Sequence, residues 1–165
     1  MDKILNAIQS ILVAAALTGV KDVIYGDPQS IPEGSFPAIT IMPVSTEYEK
    51  RGNQYDQKVH TIRVKLIYNA KDIVGKTYAA SNKPKVHKIE ESVKLVEQTN
   101  ATFSTTTSSI VGLIQQKPTL PNAGVATCQT SEVTGIYYGN STDRGFPTYE
   151  VQVDVRAVQV ANRKP

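Results

Sequence analysis

The 165-residue sequence contains no tryptophan, two methionines and one cysteine, Cys128. A lone cysteine excludes an intramolecular disulfide and suits a reducing compartment. Charge of one sign is also scarce. The net charge of +3 falls short of the clustered Lys and Arg that a phosphate-reading surface needs, so composition gives no support to nucleic-acid recognition. Metal ligands are few: His60 and His87 fall on different elements, with no cysteine at ligand spacing. No pair of carboxylates is marked out by spacing for acid–base chemistry. The basic residues Lys83, Lys85, Lys88 and Lys94 gather near one helical segment, where a solvated helix face is the default reading. Two glycosylation-type triplets, at Asn100 and Asn140, matter only in a secreted eukaryotic protein.

What is present is an ordinary folded composition, 40% hydrophobic and 20% charged, long enough to bury a core as one domain over residues 1–165. One motif invites an enzymatic reading. Gly75, Lys76 and Thr77 make the G-K-T ending of a phosphate-binding loop and follow an apparent strand. Three features argue against it. The position of the motif's first glycine holds Ala70, Asp72 would set a carboxylate among phosphates, and Pro84 interrupts the helix that should follow. The strand before it also alternates Arg63 and Lys65 with apolar residues, whereas phosphate-loop strands lie in parallel sheets buried on both faces. The motif is read as a turn, and no cofactor is expected. Cys128 has no partner that would mark it as a nucleophile and is read as a buried cysteine.

The chain opens with an amphipathic stretch. Ile4, Leu5, Ile8, Ile11, Leu12 and Ala15 share one helical stripe, with Asp2 placed to cap its start and Gly19 to end it. Polar Asn6, Gln9 and Ser10 argue against a signal peptide. The second half, "ILVAAAL", is apolar nearly all round, so the helix is expected to be covered on more than one side. A short strand over 23–25 and a β-branched strand over 36–44, bracketed by Pro37 and Pro43, follow. Residues 45–57 are polar and read as an exposed hairpin tip or loop. His60, Ile62, Val64, Leu66 and Tyr68 alternate with Thr61, Arg63 and Lys65, the mark of a strand with one covered face.

From Pro84 the period changes to that of an amphipathic helix of about four turns, carrying Val86, Ile89, Val93 and Val96. Residues 99–109 read as a connection. "IVGLIQQ" is ambiguous between helix and strand, and 124–138 reads as one or two strands. Residues 139–147 form a second polar loop. The last strand is the clearest: Tyr149, Val151, Val153, Val155 and Ala157 face one way, Glu150, Gln152, Asp154 and Arg156 the other. Its acidic face would suit pairing with Arg63 and Lys65. The sum is an α+β fold, a mostly antiparallel sheet with an N-terminal helix and a second amphipathic helix packed on one face.

The stretch "PEGSFPAITIMPVSTEYEKRGNQYDQKVHTIRVKLIY" (32–68), the helix from Pro84 and the closing "GFPTYEVQVDV" (145–155), which repeats the Phe-Pro entry into a strand, together resemble the tail-terminator (tail-completion) proteins of long-tailed bacteriophages. The resemblance implies a structural virion protein of the tail and neck, assembled in the host cytoplasm, with no catalysis. It implies a homo-oligomeric ring, usually of six subunits, that caps the tail tube and joins it to the head-completion connector (stopper) protein. The genome DNA would pass through without sequence-specific binding, and no membrane is involved. On this reading the first helix and one sheet edge make subunit contacts. Glu47, Tyr48, Lys50, Arg51, Tyr55 and Asp56 in the first loop, with Asp143 and Arg144 in the second, are candidate interface residues, chosen for charge and expected exposure. Two alternatives stay open: another neck component, or a soluble module that binds a small ligand.

Overall fold

A computed structural model of the protein describes residues 1–51, 55–70, 87–97 and 109–162, with side chains except at 50, 51, 55, 87–91, 161 and 162. The Gly75–Lys76–Thr77 turn, Pro84 and the Ser/Thr-rich stretch before Ser109 lie outside these residues. The architecture is α+β. Helix α1 (Asp2–Ala15) is followed by β1 (Asp22–Tyr25), a 3-10 turn (Glu33–Ser35), β2 (Ala38–Arg51) and β3 (Tyr55–Asn69). Helices α2 (His87–Glu97) and α3 (Ile110–Gln115) lead to a two-strand ribbon of β4 (Pro121–Asn122) and β5 (Val125–Ala126). The long strands β6 (Thr130–Ser141) and β7 (Thr148–Asn162) close the chain.

Five strands make one sheet in the order β1-β2-β3-β7-β6. β1 runs parallel to β2, and every other pairing is antiparallel. The alternation in the sequence therefore does its expected job. Ile62, Val64 and Leu66 on β3, and Val151, Val153, Val155 and Ala157 on β7, are fully buried under the helices. Helix α1 meets them with Ile4, Leu5, Ala7, Ile8, Ile11 and Leu12.

Several expectations need correction. Of the two readings of residues 45–57, hairpin holds and loop does not, since β2 runs on to Arg51 and β3 resumes at Tyr55. Register is kept from Ser45↔Thr61 to Arg51↔Tyr55, past a bulge between Pro43 and Ser45. Polar side chains there do not break the ladder, because pairing is made by the backbone, and β7 continues beside β3 to Tyr55↔Asn162. The second loop is likewise shorter than 139–147, with β6 continuing to Ser141 and β7 beginning at Thr148.

On α2, Ser92 and Val96 are fully buried while Val93 is 38% exposed. The inward line runs through Ser92 and Val96, and Val93 lies about 100° round the helix from Ser92. "IVGLIQ" is helical, and Ile110 to Ile114 are all buried. It is held at its start by the Ser109 hydroxyl, which accepts from the Gly112 N–H at 3.1 Å. The helical layer thus has three described members rather than two. At the start of α1 Asp2 does not cap with its side chain, because Met1 holds the cap position. Asp2 sits in the first turn, where its carboxylate meets the positive end of the helix dipole.

Gly19 does not end α1. The helix stops at Ala15, and Ala16 takes the left-handed conformation (φ 44, ψ 53), with its N–H donating to the Val13 carbonyl. Beyond it Val13 is 56% exposed, so the second side of this apolar half-helix is open in the single chain. A left-handed alanine costs about 1 kcal/mol relative to glycine. The substitution Ala16→Gly should accordingly raise the unfolding free energy by about that amount, read as a higher urea midpoint at constant m-value. A fall would show that this helix end is misdescribed.

Candidate interaction surfaces

The candidate residues divide between two places. On the hairpin arm, Glu47 is exposed and Tyr48 is 70% exposed. The Lys58 ammonium stands 5.3 Å from the centre of the Tyr48 ring, a cation–π contact that orients the phenol without covering it. Asp56 is half-buried. Lys50, Arg51 and Tyr55 belong to the arm's strands, but their side chains are outside the described set. The arm is thus the end of the sheet where β2, β3 and β7 run together, and Glu47, Tyr48 and Asp56 are its described candidates.

The second group splits. Asp143 is exposed at the tip, but Arg144 is not an outward contact, and its side chain is only 4% exposed. It turns back beneath the tip to bond Asp27 and the Pro28 carbonyl, and its Nε donates to Glu150 Oε1 at 3.3 Å. Lys65 completes the cluster, with Nζ 2.7 Å from Asp27 Oδ2 and 3.6 Å from Glu150 Oε2. Thr148 Oγ1 adds a hydrogen bond to Glu150 at 3.3 Å. Two cations and two carboxylates balance, as low-exposure charges must. Burial by itself would raise the Asp27 carboxyl, yet hydrogen bonds from Lys65 and Arg144 outweigh it and hold Asp27 below its usual range.

Further along the same face, Arg63 makes a two-pronged bond to Asp154 at 2.7 and 2.9 Å, and Arg156 reaches Glu132 at 3.2 Å. The charges expected to pair across strands do so, between directly opposed residues Arg63 and Asp154. Tyr137 lies over Gly135, where a Cβ would come within 2.7 Å of the phenol oxygen and push the exposed ring aside.

On the helix-covered face His60 is buried, as expected of a residue on the apolar side. Gln159 Nε2 donates to the Thr127 carbonyl at 2.6 Å. Its Oε1 therefore accepts from His60 Nε2 at 2.9 Å, and His60 Nδ1 accepts from the Thr46 hydroxyl at 2.9 Å. Burial pushes the imidazole below its ordinary value, against the hydrogen bond to Gln159, and Lys58 adds to the effect. This relay fastens β2, β3, β7 and the turn before β6.

A cavity of about 510 Å³ opens at the opposite end of the sheet, lined by Ile31, Glu33, Phe36, Asn69, Ala70, Phe146 and Pro147. The two Phe-Pro strand entries meet here, with Phe36 and Phe146 packed edge to face at 5.8 Å. Cys128 is buried, with its thiol pushed up to about 11 by burial, so it stays protonated at neutral pH. Among the described residues no group of three His, Cys, Asp or Glu side chains could hold a metal, and no helix is long and apolar enough to cross a membrane. β3, which leads toward the G-K-T turn, has antiparallel partners on both sides.

No protein-family model and no curated protein sequence matches the chain.

The Arg144 cluster was beyond sequence reasoning, since Asp27 and Lys65 are remote along the chain from each other and from the Arg144–Glu150 pair. Glu150 was expected on a wet face and is 4% exposed. Removing one member leaves low-exposure charges unbalanced, so Arg144→Ala should cost about 3 kcal/mol in urea unfolding at pH 7. Asp27→Asn tests the sign of the carboxylate's contribution. Because its folded value lies below the ordinary 3.8, that contribution is complete above the ordinary value and is lost as pH falls through the folded one. The stability gap between parent and Asp27→Asn should then be constant from pH 7 to 5 and narrow below pH 4. A gap that widens in acid would contradict the cluster.

Proposed function

We propose that the chain is a structural virion protein, a tail terminator that forms a ring on the tail tube and joins it to the head connector. The observation that carries this reading is the hairpin arm, the far end of the β2–β3 pairing, where Tyr48 is 70% exposed. Rigid, exposed projections with aromatic and mixed-charge residues are the form in which assembly proteins present contacts to copies and partners. The open side of α1 at Val13, Ala14 and Ala16 supports it as a second place for a neighbour. Of the segments that carry the resemblance, 38–41 lie on β2 and 60–68 on β3. In this reading the protein resides in the virion neck, after assembly in the host cytoplasm, and passes the genome without reading its sequence. Another neck component would use the same surfaces.

One observation favours a different class. The cavity walled by Phe36 and Phe146, with Glu33 and Asn69 as polar groups, has the size and lining of a small-ligand site. Saturable one-to-one binding of an apolar fluorescent probe, lost in Phe146→Ser, would favour that module. The terminator reading is tested by mixing the purified protein with the tube protein encoded beside it and imaging in negative stain. Rings of uniform diameter and tubes that stop growing at one end are expected. A monomer in both conditions, with tube length unchanged, would contradict it.

A further inference from the structure

Among the described residues, both outer strands of the main sheet have backbone with no strand beside it. β6 pairs only with β7, so its outer edge carries no strand among the described residues. On the other side β1 covers β2 only from Ala38 to Ile41, apart from one bridge between Gly26 and Ile41. No described strand covers the rest of β2. A bulge interrupts each open edge, after Pro43 on β2 and after Val133 on β6. Past the bulges the runs match in length, Ser45–Arg51 and Gly135–Ser141, at seven residues each.

Solvent-facing edges are normally guarded by Lys, Pro or short length. The β6 run, "GIYYGNS", has none of these and no charge. The β2 run, "STEYEKR", has two acidic and two basic residues and is neutral as a whole, so neither edge repels the other. Strand directions also fit. β3 is antiparallel to β2, β7 to β3 and β6 to β7, so a β6 edge meeting the β2 edge of a like-oriented copy is antiparallel to it.

We propose that copies of the chain join head to tail through this contact, the outer edge of Gly135–Ser141 pairing with Ser45–Arg51 of the next copy. The inference deepens the ring reading and rests on it. Full overlap of the two runs sets Ser45 opposite Ser141, Glu47 opposite Gly139 and Tyr48 opposite Tyr138. Residues facing each other across a ladder must share a sheet face, and these do. Tyr48 lies opposite Lys58, and Tyr138 opposite Val151, both on the helix-covered side. Glu47 and Gly139 lie on the other side. The register thus pairs two exposed tyrosines, 70% and 41% accessible in the single chain.

The two edges are unlike, so the interface is heterologous, the kind that closes into rings or extends into filaments. They also sit at different heights. Tyr138 is level with Leu66 on β3 and Tyr48 with Lys58, a stagger of about 25 Å along the strand. The strands must therefore slant across the ring, as they do in closed sheets.

Cross-linking tests the register. In a Cys128→Ser background, Glu47→Cys with Gly139→Cys, or Ser45→Cys with Ser141→Cys, should give a ladder of dimer, trimer and larger species on oxidation. Each single variant should stay monomeric on a non-reducing gel. Positions 47 and 139 are exposed, and a Cβ at 139 meets nothing within 4 Å, so parental melting is expected. If a double variant fails to fold, mixing the Glu47→Cys and Gly139→Cys proteins should give dimer alone. Dimer from Gly139→Cys by itself would mean a two-fold β6 contact and overturn the proposal. Rings in the microscope with no cross-link from either pair would overturn it too, while leaving the ring reading in place. A protein that stays monomeric throughout would remove both.

Discussion

The antiparallel pairing of β3 with β7 is the constraint on which the rest of this structure depends. It runs unbroken from Tyr55↔Asn162 to Asn69↔Thr148, and it decides at once what each face of the sheet presents. Ile62 opposes Val155, Val64 opposes Val153 and Leu66 opposes Val151, which creates the apolar strip that seats α1, α2 and α3. A slip of one residue would turn that strip to water and bring the charged residues inward. Opposite faces of the same pairs place Arg63 against Asp154, and the bidentate bond between them marks the correct register on the wet side.

With that ladder in place, the two faces are dealt with by different chemistry. The helical layer buries one face with aliphatic side chains. The other is closed in part by the chain from Asp27 to Phe36, where Ile31, Phe36, Ala38 and Ile67 form a second, smaller core. Asp27 and Arg144 tie this covering segment and the β6–β7 tip to Lys65 and Glu150 on the central strands. Charge here does the work of a clasp between segments remote in sequence. Among the described residues, these coverings leave the arm, the open half of α1 and the two backbone edges accessible.

Much of this was legible in the residues. Period-two patterns are strong where one face is fully covered, so β3 and β7 could be read residue by residue. The expected match between the basic face of β3 and the acidic face of β7 was made by Arg63 with Asp154. The repeated Phe-Pro entry was visible as a motif, although only the fold shows Phe36 and Phe146 in contact. What resisted reading has physical causes. "IVGLIQ" is apolar on nearly every side, so it carries no period, and its N-cap Ser109 lies at the end of a stretch rich in Ser and Thr. The arm looked like a loop because polar side chains say little about backbone pairing. Arg144 looked like a surface charge because two of its partners, Asp27 and the Pro28 carbonyl, come from a remote segment. The interface candidates on the arm are exposed or belong to it, but no sequence signal separates a contact residue from a solvated one.

The central claim is that the β3–β7 ladder makes a self-sufficient sheet whose outer edges are completed by another copy. Amide hydrogen exchange, measured on dilute monomer and on assembled protein, tests it most directly. The account predicts that β3 and β7 exchange slowest in both states, with 45–51 and 135–141 gaining protection on assembly alone. Equal protection of those two runs in both states, or exchange in β3 as fast as at the sheet edges, would contradict it.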